Sequence, residues 1–282
     1  LSGDFFVGQV LMTQNSPKEL SRTPEVTESE VLQLAKAHKK NYALTPRFAP
    51  TVGAGLMQKL GPWAQKKGLL IQSHLAETEN EREYVLELFS DHFKNLQSYS
   101  QVYDRMGLLG PKTIMAHGIY LDESEWKLLK RRKCRLAHCP SSNAPLAHGG
   151  LGSGLMDFQK ADFMGVPWAL GSDIGAGPYL SMLDVMNSFV KQNPGRADYG
   201  KALFRATKAG AKILQLDWGE FKKGSRANWA FLRLPRYRRG ESGGERLNRG
   251  ISPFWNKREQ VDQLIAQVLE ADGTFCRNKI LK

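Results

Sequence analysis

Leu69-Leu70-Ile71-Gln72-Ser73-His74-Leu75-Ala76-Glu77 opens as an apolar run, stops at a histidine and reaches a carboxylate three residues later. A strand that ends on a metal-type ligand and hands over to a loop carrying an acid is a common way to build a hydrolytic site. Two more strand-like runs end in the same manner, residues 112–116 on His117-Gly118 and residues 166–172 on Asp173. One such ending reads as a strand cap. Three, in chain order His, His, Asp, read as parts of one site.

Outward from these runs, strands alternate with helical patterns. Residues 5–12 read as a buried strand, and Thr27-Glu28-Ser29-Glu30 as a capping box ahead of Val31, Leu34 and Ala35 at helical spacing. Residues 42–45 form a short strand before Pro46, with Arg47 and Phe48 at its exit. Leu56, Met57, Leu60, Trp63 and Ala64 keep a helical stripe, with Gly68 as its C-cap. Residues 80–89, the segment capped by Asp122, residues 155–164, 179–190 and 199–214 read as further helices, and residues 134–138 as a strand. His138 either reaches a pocket or packs under the loop that follows, while His38, His92 and His148 read as helix-end or loop residues. At least six alternations of this kind predict βα units, a parallel sheet and function at the strand C-termini. From residue 219 the pattern changes. Trp229-Ala230-Phe231-Leu232 is a short apolar run, residues 236–250 read as a loop, and residues 261–270 start as a helix and finish as a strand before Asp272-Gly273.

The chain has 282 residues, is 41% hydrophobic and carries a net charge of +12. No apolar run approaches the roughly 18 residues that a membrane helix needs. Residues 5–12 lack the basic flank and cleavage site of a signal peptide. Cys134, Cys139 and Cys276 form no disulfide framework and suit a reducing, cytoplasmic setting. Residues 220–282 hold 14 Lys/Arg against 7 Asp/Glu, and Lys130-Arg131-Arg132-Lys133 is a second basic cluster. Neither shows interleaved stacking aromatics on a recognisable binding module, so both read as solvated surface, with no nucleic-acid partner expected.

His74 and Asp173 together suit Zn²⁺, with Fe or Mn as alternatives. Glu77 is placed to carry a proton between water and substrate. His117 reads as a further ligand or as a base. Arg47 offers a planar fork that reads a carbonyl and a ring nitrogen together, or else forms a surface salt bridge. A phosphate-binding role for Asp173-Ile174-Gly175-Ala176-Gly177 lacks the Gly-Lys-Ser/Thr signature, and the His-x-Glu with Pro-Cys-x-x-Cys of cytidine-type deaminases is absent. Catalytic zinc usually has at least three protein ligands, and no His-x-His occurs in the sequence.

Thr45-Pro46-Arg47-Phe48, Gln72-Ser73-His74-Leu75-Ala76-Glu77, Met115-Ala116-His117-Gly118, residues 137–143, Leu151-Gly152-Ser153-Gly154 and Gly171-Ser172-Asp173, in that order and spacing, resemble the guanine deaminases of the amidohydrolase superfamily. The resemblance implies an α/β fold, a (β/α)₈ TIM barrel of the metal-dependent hydrolase type with a small β-sandwich. Residues 1–216 would be the barrel part and 217–282 the sandwich part. It implies His74 and Asp173 as metal ligands, Glu77 as proton shuttle, His117 and Asp173 as catalytic groups, and Arg47, Phe48 and His117 as guanine contacts. It also implies hydrolysis of guanine to xanthine and ammonia, and a homodimer. Family members carry His-x-His on the first barrel strand, so the expectation is an N-terminally incomplete barrel whose missing ligands precede Leu1. The alternatives are a non-catalytic scaffold and a related deaminase of another purine or pterin.

Overall fold

Six strands run parallel and lie side by side in chain order in the computed structural model, which describes residues 5–220 together with 223, 224 and 226. They are β1 (Val10–Leu11), β2 (Ala43–Pro46), β3 (Leu70–Leu75), β4 (Thr113–His117), β5 (Arg135–His138) and β6 (Trp168–Leu170). Between and after them lie α1 (Pro24–His38), α2 (Ala54–Lys67), α3 (Glu79–Phe89), α4 (Tyr99–Arg105), α5 (Glu123–Arg132), α6 (Phe158–Met164), α7 (Met182–Gln192), α8 (Tyr199–Ala206) and α9 (Lys208–Ile213). Consecutive parallel strands joined by helical crossovers are the staves of a (β/α)₈ barrel. Among the described residues no strand joins β6 to β1, so the sheet is open. The chain shows a partial barrel, as the alternation predicts.

The pleat sorts the side chains into two layers. Leu44, Ile71, Met115, Leu136 and Trp168 face the helices in the main core, whereas Ala43, Leu70, Ile114 and Ala169 face inward, where α9 adds Ala209 and Ile213. In the outer layer Phe158, Trp168 and Phe189 pack ring against ring, with centroids 5.1–5.8 Å apart. Truncating one such ring to alanine costs about 3–5 kcal/mol.

Local signals account for most helix ends. Asp122 accepts from Glu125 N at 3.0 Å, and the Glu125 carboxylate reaches back to Asp122 N at 3.1 Å. Gly68 closes α2 in the left-handed conformation with φ +62°. Lys130, Arg131 and Arg132 fill the last turn of α5, where cations complement the helix dipole, and Arg132 also pairs with Asp104.

Three expectations need correction. Among the described residues β1 is the outermost strand: of the strand expected over 5–12 only Val10 and Leu11 form one, Leu11 alone is buried, and Phe5, Val7 and Val10 are about half exposed. Helix α1 starts a turn early because Pro24 fits the first helical position and Thr23 caps it, which leaves Thr27 buried within the helix. The helix expected over 199–214 breaks at Thr207, whose φ of −122° and ψ of −90° are not helical. Helix α4 was not anticipated. The expected β-sandwich contribution, the apolar run at 229–232, the loop at 236–250 and the elements at 261–273 lie outside the described residues. Among the described residues no helix is long and apolar enough to cross a membrane.

Candidate metal and proton-transfer site

The site is built at the strand C-termini, where the backbone leaves the pleat. Ala76 (φ +49°), His117 (φ +71°) and Asp173 (φ +48°) all adopt the left-handed conformation. Non-glycine residues there carry strain that the surroundings must hold. At β4 the turn has a clear consequence. Met115 packs outward and Ala116 lies inward, so plain alternation would send His117 back among the helices. The left-handed turn swings it to His74 instead, and the two rings stack with centroids 5.3 Å apart. Hydrogen bonds across the sheet fix the turn, with Gly118 N donating to Leu75 O at 2.8 Å and Ile119 N to Ala76 O at 3.1 Å.

His74, His117 and Asp173 bring one ligand atom each within 4.8 Å of one another. Two imidazoles and a carboxylate fit a divalent metal in chemistry and in spread. Burial holds the His74 imidazole below its ordinary pKa, which keeps it neutral and able to donate a lone pair. Its Nδ1–H donates to the Arg47 carbonyl oxygen, which leaves Nε2 as the free lone pair. From behind, Tyr103 of α4 donates to the His74 carbonyl at 2.8 Å and accepts from Ala49 N at 2.8 Å. Tyr103 is fully buried, and burial pushes its hydroxyl well above the ordinary range, so it acts as a neutral strut.

Glu77 joins the cluster from the loop after β3. Its Oε2 lies 3.5 Å from His117 Nε2, and its Oε1 accepts from Asn143 Nδ2 and Ser153 Oγ, each at 3.0 Å. Arg47 sits at the exit of β2, exposed, with its guanidinium 5.0 Å from the half-buried Phe48 ring. None of the ion pairs among the described residues includes it.

His138 is not brought to this site. It keeps the outward direction of its strand and is fully buried, edge-on to Trp168 and Phe189 at 6.1 and 5.7 Å. Neither ring nitrogen has a partner, and burial lowers its pKa to about 3. Of its two readings, packing under the loop is the one observed. A cleft of about 790 Å³ between the loop after β5 and α7 is lined by Asn143, His148, Tyr179, Asp184 and Lys191 among others, and by none of the three clustered ligands. Sequence reasoning gave no role to Tyr103, Asn143 or Ser153. The last two stood inside quoted blocks, and the available signal was a pair of small polar residues in a Gly-rich stretch that ends up buried.

Comparison with known proteins agrees with this geometry. Residues 2–265 match the model of the amidohydrolase family. Guanine deaminase of Escherichia coli is 35% identical over 235 residues, 80% of this chain and 52% of that protein. The solved structure of E. coli guanine deaminase superposes with a TM-score of 0.81 at 29% identity, over 98% of this chain and 62% of that one. The C. acetobutylicum guanine deaminase, solved with guanine in its active site, gives a TM-score of 0.70 at 31% identity, over 78% of this chain and 54% of that one. The chain spans about half the length of the curated relatives it matches. Parallel strands delivering His, His and Asp to one point, together with a family match over nearly the whole sequence, place the chain in the amidohydrolase family.

Proposed function

We propose that this chain carries the proton-transfer half of a guanine deaminase site, which hydrolyses guanine to xanthine and ammonia. The observation that carries the reading is the convergence of His74, His117 and Asp173 within 4.8 Å, with the Glu77 carboxylate 3.5 Å from His117. His74, His117 and Asp173 would hold a divalent ion, zinc by donor type. When bound, such an ion acidifies water at neutral pH and so supplies a nucleophile.

The chain's own residues divide the remaining work. Arg47 donates its planar fork to the guanine carbonyl and the adjacent ring nitrogen, and Phe48 offers an apolar face beside it. Glu77 takes a proton from the attacking water and delivers it to the purine ring, and the water's second proton passes to the exocyclic amine, which leaves as ammonia as the C2 carbonyl forms. Asp173 is a second carboxylate able to accept a proton from that water, and His117, within reach of Glu77, holds the water's approach. The likeness to guanine deaminases, one of them solved with guanine bound, supports guanine over other purines.

The test is guanine-dependent ammonia release, with zinc content determined on the same sample, by a version extended upstream through the strand pair expected before Leu1, set beside this chain, for which weak metal binding and little turnover are expected. Expected from the extended version are xanthine and ammonia in equal amounts, and a loss of 10²–10⁴-fold for Glu77→Gln, the range that a proton shuttle contributes. Ammonia from another purine or from a pterin, and none from guanine, would move the substrate. Bound metal with no ammonia from any of them would favour a non-catalytic homologue.

A further inference from the structure

Helix α4 carries two tyrosines one turn apart, Tyr99 and Tyr103, and both are fully buried. Their rings stack with centroids 5.5 Å apart, yet their hydroxyls reach different parts of the site. The Tyr103 hydroxyl bonds Ala49 N, just past Arg47, and His74 O. Ser73 Oγ stands beside it, 3.0 Å from that hydroxyl and 3.3 Å from the Arg47 carbonyl oxygen. One oxygen atom thus ties the exit of β2 to the end of β3. The Tyr99 hydroxyl instead donates to Glu81 Oε1 at 2.8 Å. The other oxygen of that carboxylate accepts from Glu77 N at 2.9 Å and from Thr78 N at 3.4 Å. Glu77 follows Ala76, one of the left-handed residues, so its backbone needs such a hold.

Proton count keeps the two arms separate. Each tyrosine has one hydroxyl proton. That of Tyr103 goes to His74 O and that of Tyr99 to Glu81, both at 2.8 Å. The 3.5 Å between the two hydroxyls is therefore a contact with no proton of its own.

We propose that Tyr103 and Tyr99 are positioning residues with divided tasks. Tyr103 fixes the backbone at Arg47 and His74, and with it the substrate anchor and a metal ligand. Tyr99 acts through Glu81 on the backbone of Glu77, the proton carrier. The catalytic consequence rests on the deaminase reading, whereas the division into two supports does not.

The helix that carries the pair is itself held. Ser100 N donates to Glu125 Oε1 at 2.9 Å, and the other oxygen of this fully buried carboxylate accepts from Asp122 N at 3.1 Å. At the far end a Cβ on Gly61 would lie 2.4 Å from Met106 O, so α2 and the end of α4 touch backbone to backbone. A site supported from a fixed helix keeps its geometry more closely than one supported from loops.

The experiment compares the unsubstituted protein with Tyr103→Phe, Tyr99→Phe and the pair, each change removing a single oxygen atom. Amide hydrogen exchange is read on this chain as it stands. Zinc affinity, by competition with a chelator, and kcat and KM for guanine at saturating zinc are read on the upstream-extended version. Tyr103→Phe should speed exchange at Ala49, weaken zinc by about 10–100-fold and raise KM by about tenfold, with kcat moving less than about threefold. Tyr99→Phe should speed exchange at Glu77 and Thr78 and lower kcat by about tenfold, with zinc affinity and KM within about threefold. In the pair the losses should multiply to within about twofold. Melting curves confirm folding. Ser73→Ala is a milder change on the Tyr103 arm and should move zinc affinity and KM in the same direction by less than about tenfold, which tests that arm even where Tyr103→Phe does not fold. Exchange rising at both places in both variants, the same split between kcat and KM for the two, or a pair that loses no more than one of its members would overturn the proposal. So would folded variants that exchange and turn over as the unsubstituted protein does. Exchange divided as expected, with no guanine turnover in any form, would support the two arms and count against the deaminase reading instead.

Discussion

Strands β4 and β5 end alike, in Met115-Ala116-His117 and Leu136-Ala137-His138, and Ala116 and Ala137 are register partners. Both histidines are buried, at 1% and 0% exposure. One ends in a polar network of Glu77, Asn143 and His74, and the other in an aromatic cage with no polar partner. Neither residue type nor burial separates them. The backbone does. His117 turns left-handed and swings to the site, whereas His138 keeps the outward direction that alternation assigns it. Before a buried histidine is given a role in chemistry, its strand-end geometry has to be known.

Exchanging the two side chains breaks the comparison most sharply. His117→Ala should lower guanine turnover by about 10³-fold or more, as expected for losing a group that works in the proton-transfer network. His138→Leu should change turnover by less than threefold, because His138 touches none of the clustered ligands. Parallel steady-state rates on the two variants, with melting curves to confirm folding, decide it. Equal losses would mean that the aromatic cage and the site are one functional unit.

The next effect is on stability. The folded pKa of His138, about 3, lies below its ordinary 6.5, so protonation favours the unfolded chain. Its contribution is therefore present above about pH 6.5 and is lost as pH falls toward 3. The full span is at most on the order of 5 kcal/mol. His74 is lowered in the same direction and adds to the slope. Urea midpoints between pH 7 and pH 4 should fall less steeply for His138→Leu than for the unsubstituted chain. At pH 7 the variant should be more stable by about 1–2 kcal/mol, since two buried nitrogens without partners are removed. Parallel slopes for the two chains would show that His138 does not carry the acid sensitivity.

The sequence made the sheet legible because buried parallel strands and capped helices leave strong local patterns. His74, Glu77, His117 and Asp173 were legible because each ends or follows an apolar run. The inward and outward faces were not, because what separates His117 from His138 is a left-handed turn at the first strand end, which an alternation of apolar residues does not reveal. The edge character of residues 5–12 was hidden for a related reason, since an apolar run reads the same whether one face is covered or both. Tyr103 and Asn143 were missed because their roles come from tertiary contacts 29 and 66 residues away in sequence, to His74 and Glu77.

The smallest effect addresses the turn itself. After His117 the chain continues through Gly118 at φ +61°, a second left-handed residue in a row, whereas His138 is followed by Cys139-Pro140. A Cβ at Gly118 would lie 3.3 Å from Leu121 Cδ1 and from Leu136 Cδ2, the ends of side chains able to give way. The cost of Gly118→Ala is thus mainly the left-handed conformation, about 1 kcal/mol. Gly55 is the matched control: it lies within α2 with no neighbour within 4 Å of an added Cβ. Gly55→Ala should stabilise by up to about 1 kcal/mol through helix propensity. Urea midpoints of the two variants should therefore move in opposite directions. Gly118→Ala should also lose a few-fold in kcat, as His117 is pulled back toward the path that His138 takes. If Gly118→Ala were as stable as Gly55→Ala, the left-handed turn would not be held at this glycine, and the difference between the two histidines would have to come from the Asn143 side of the site.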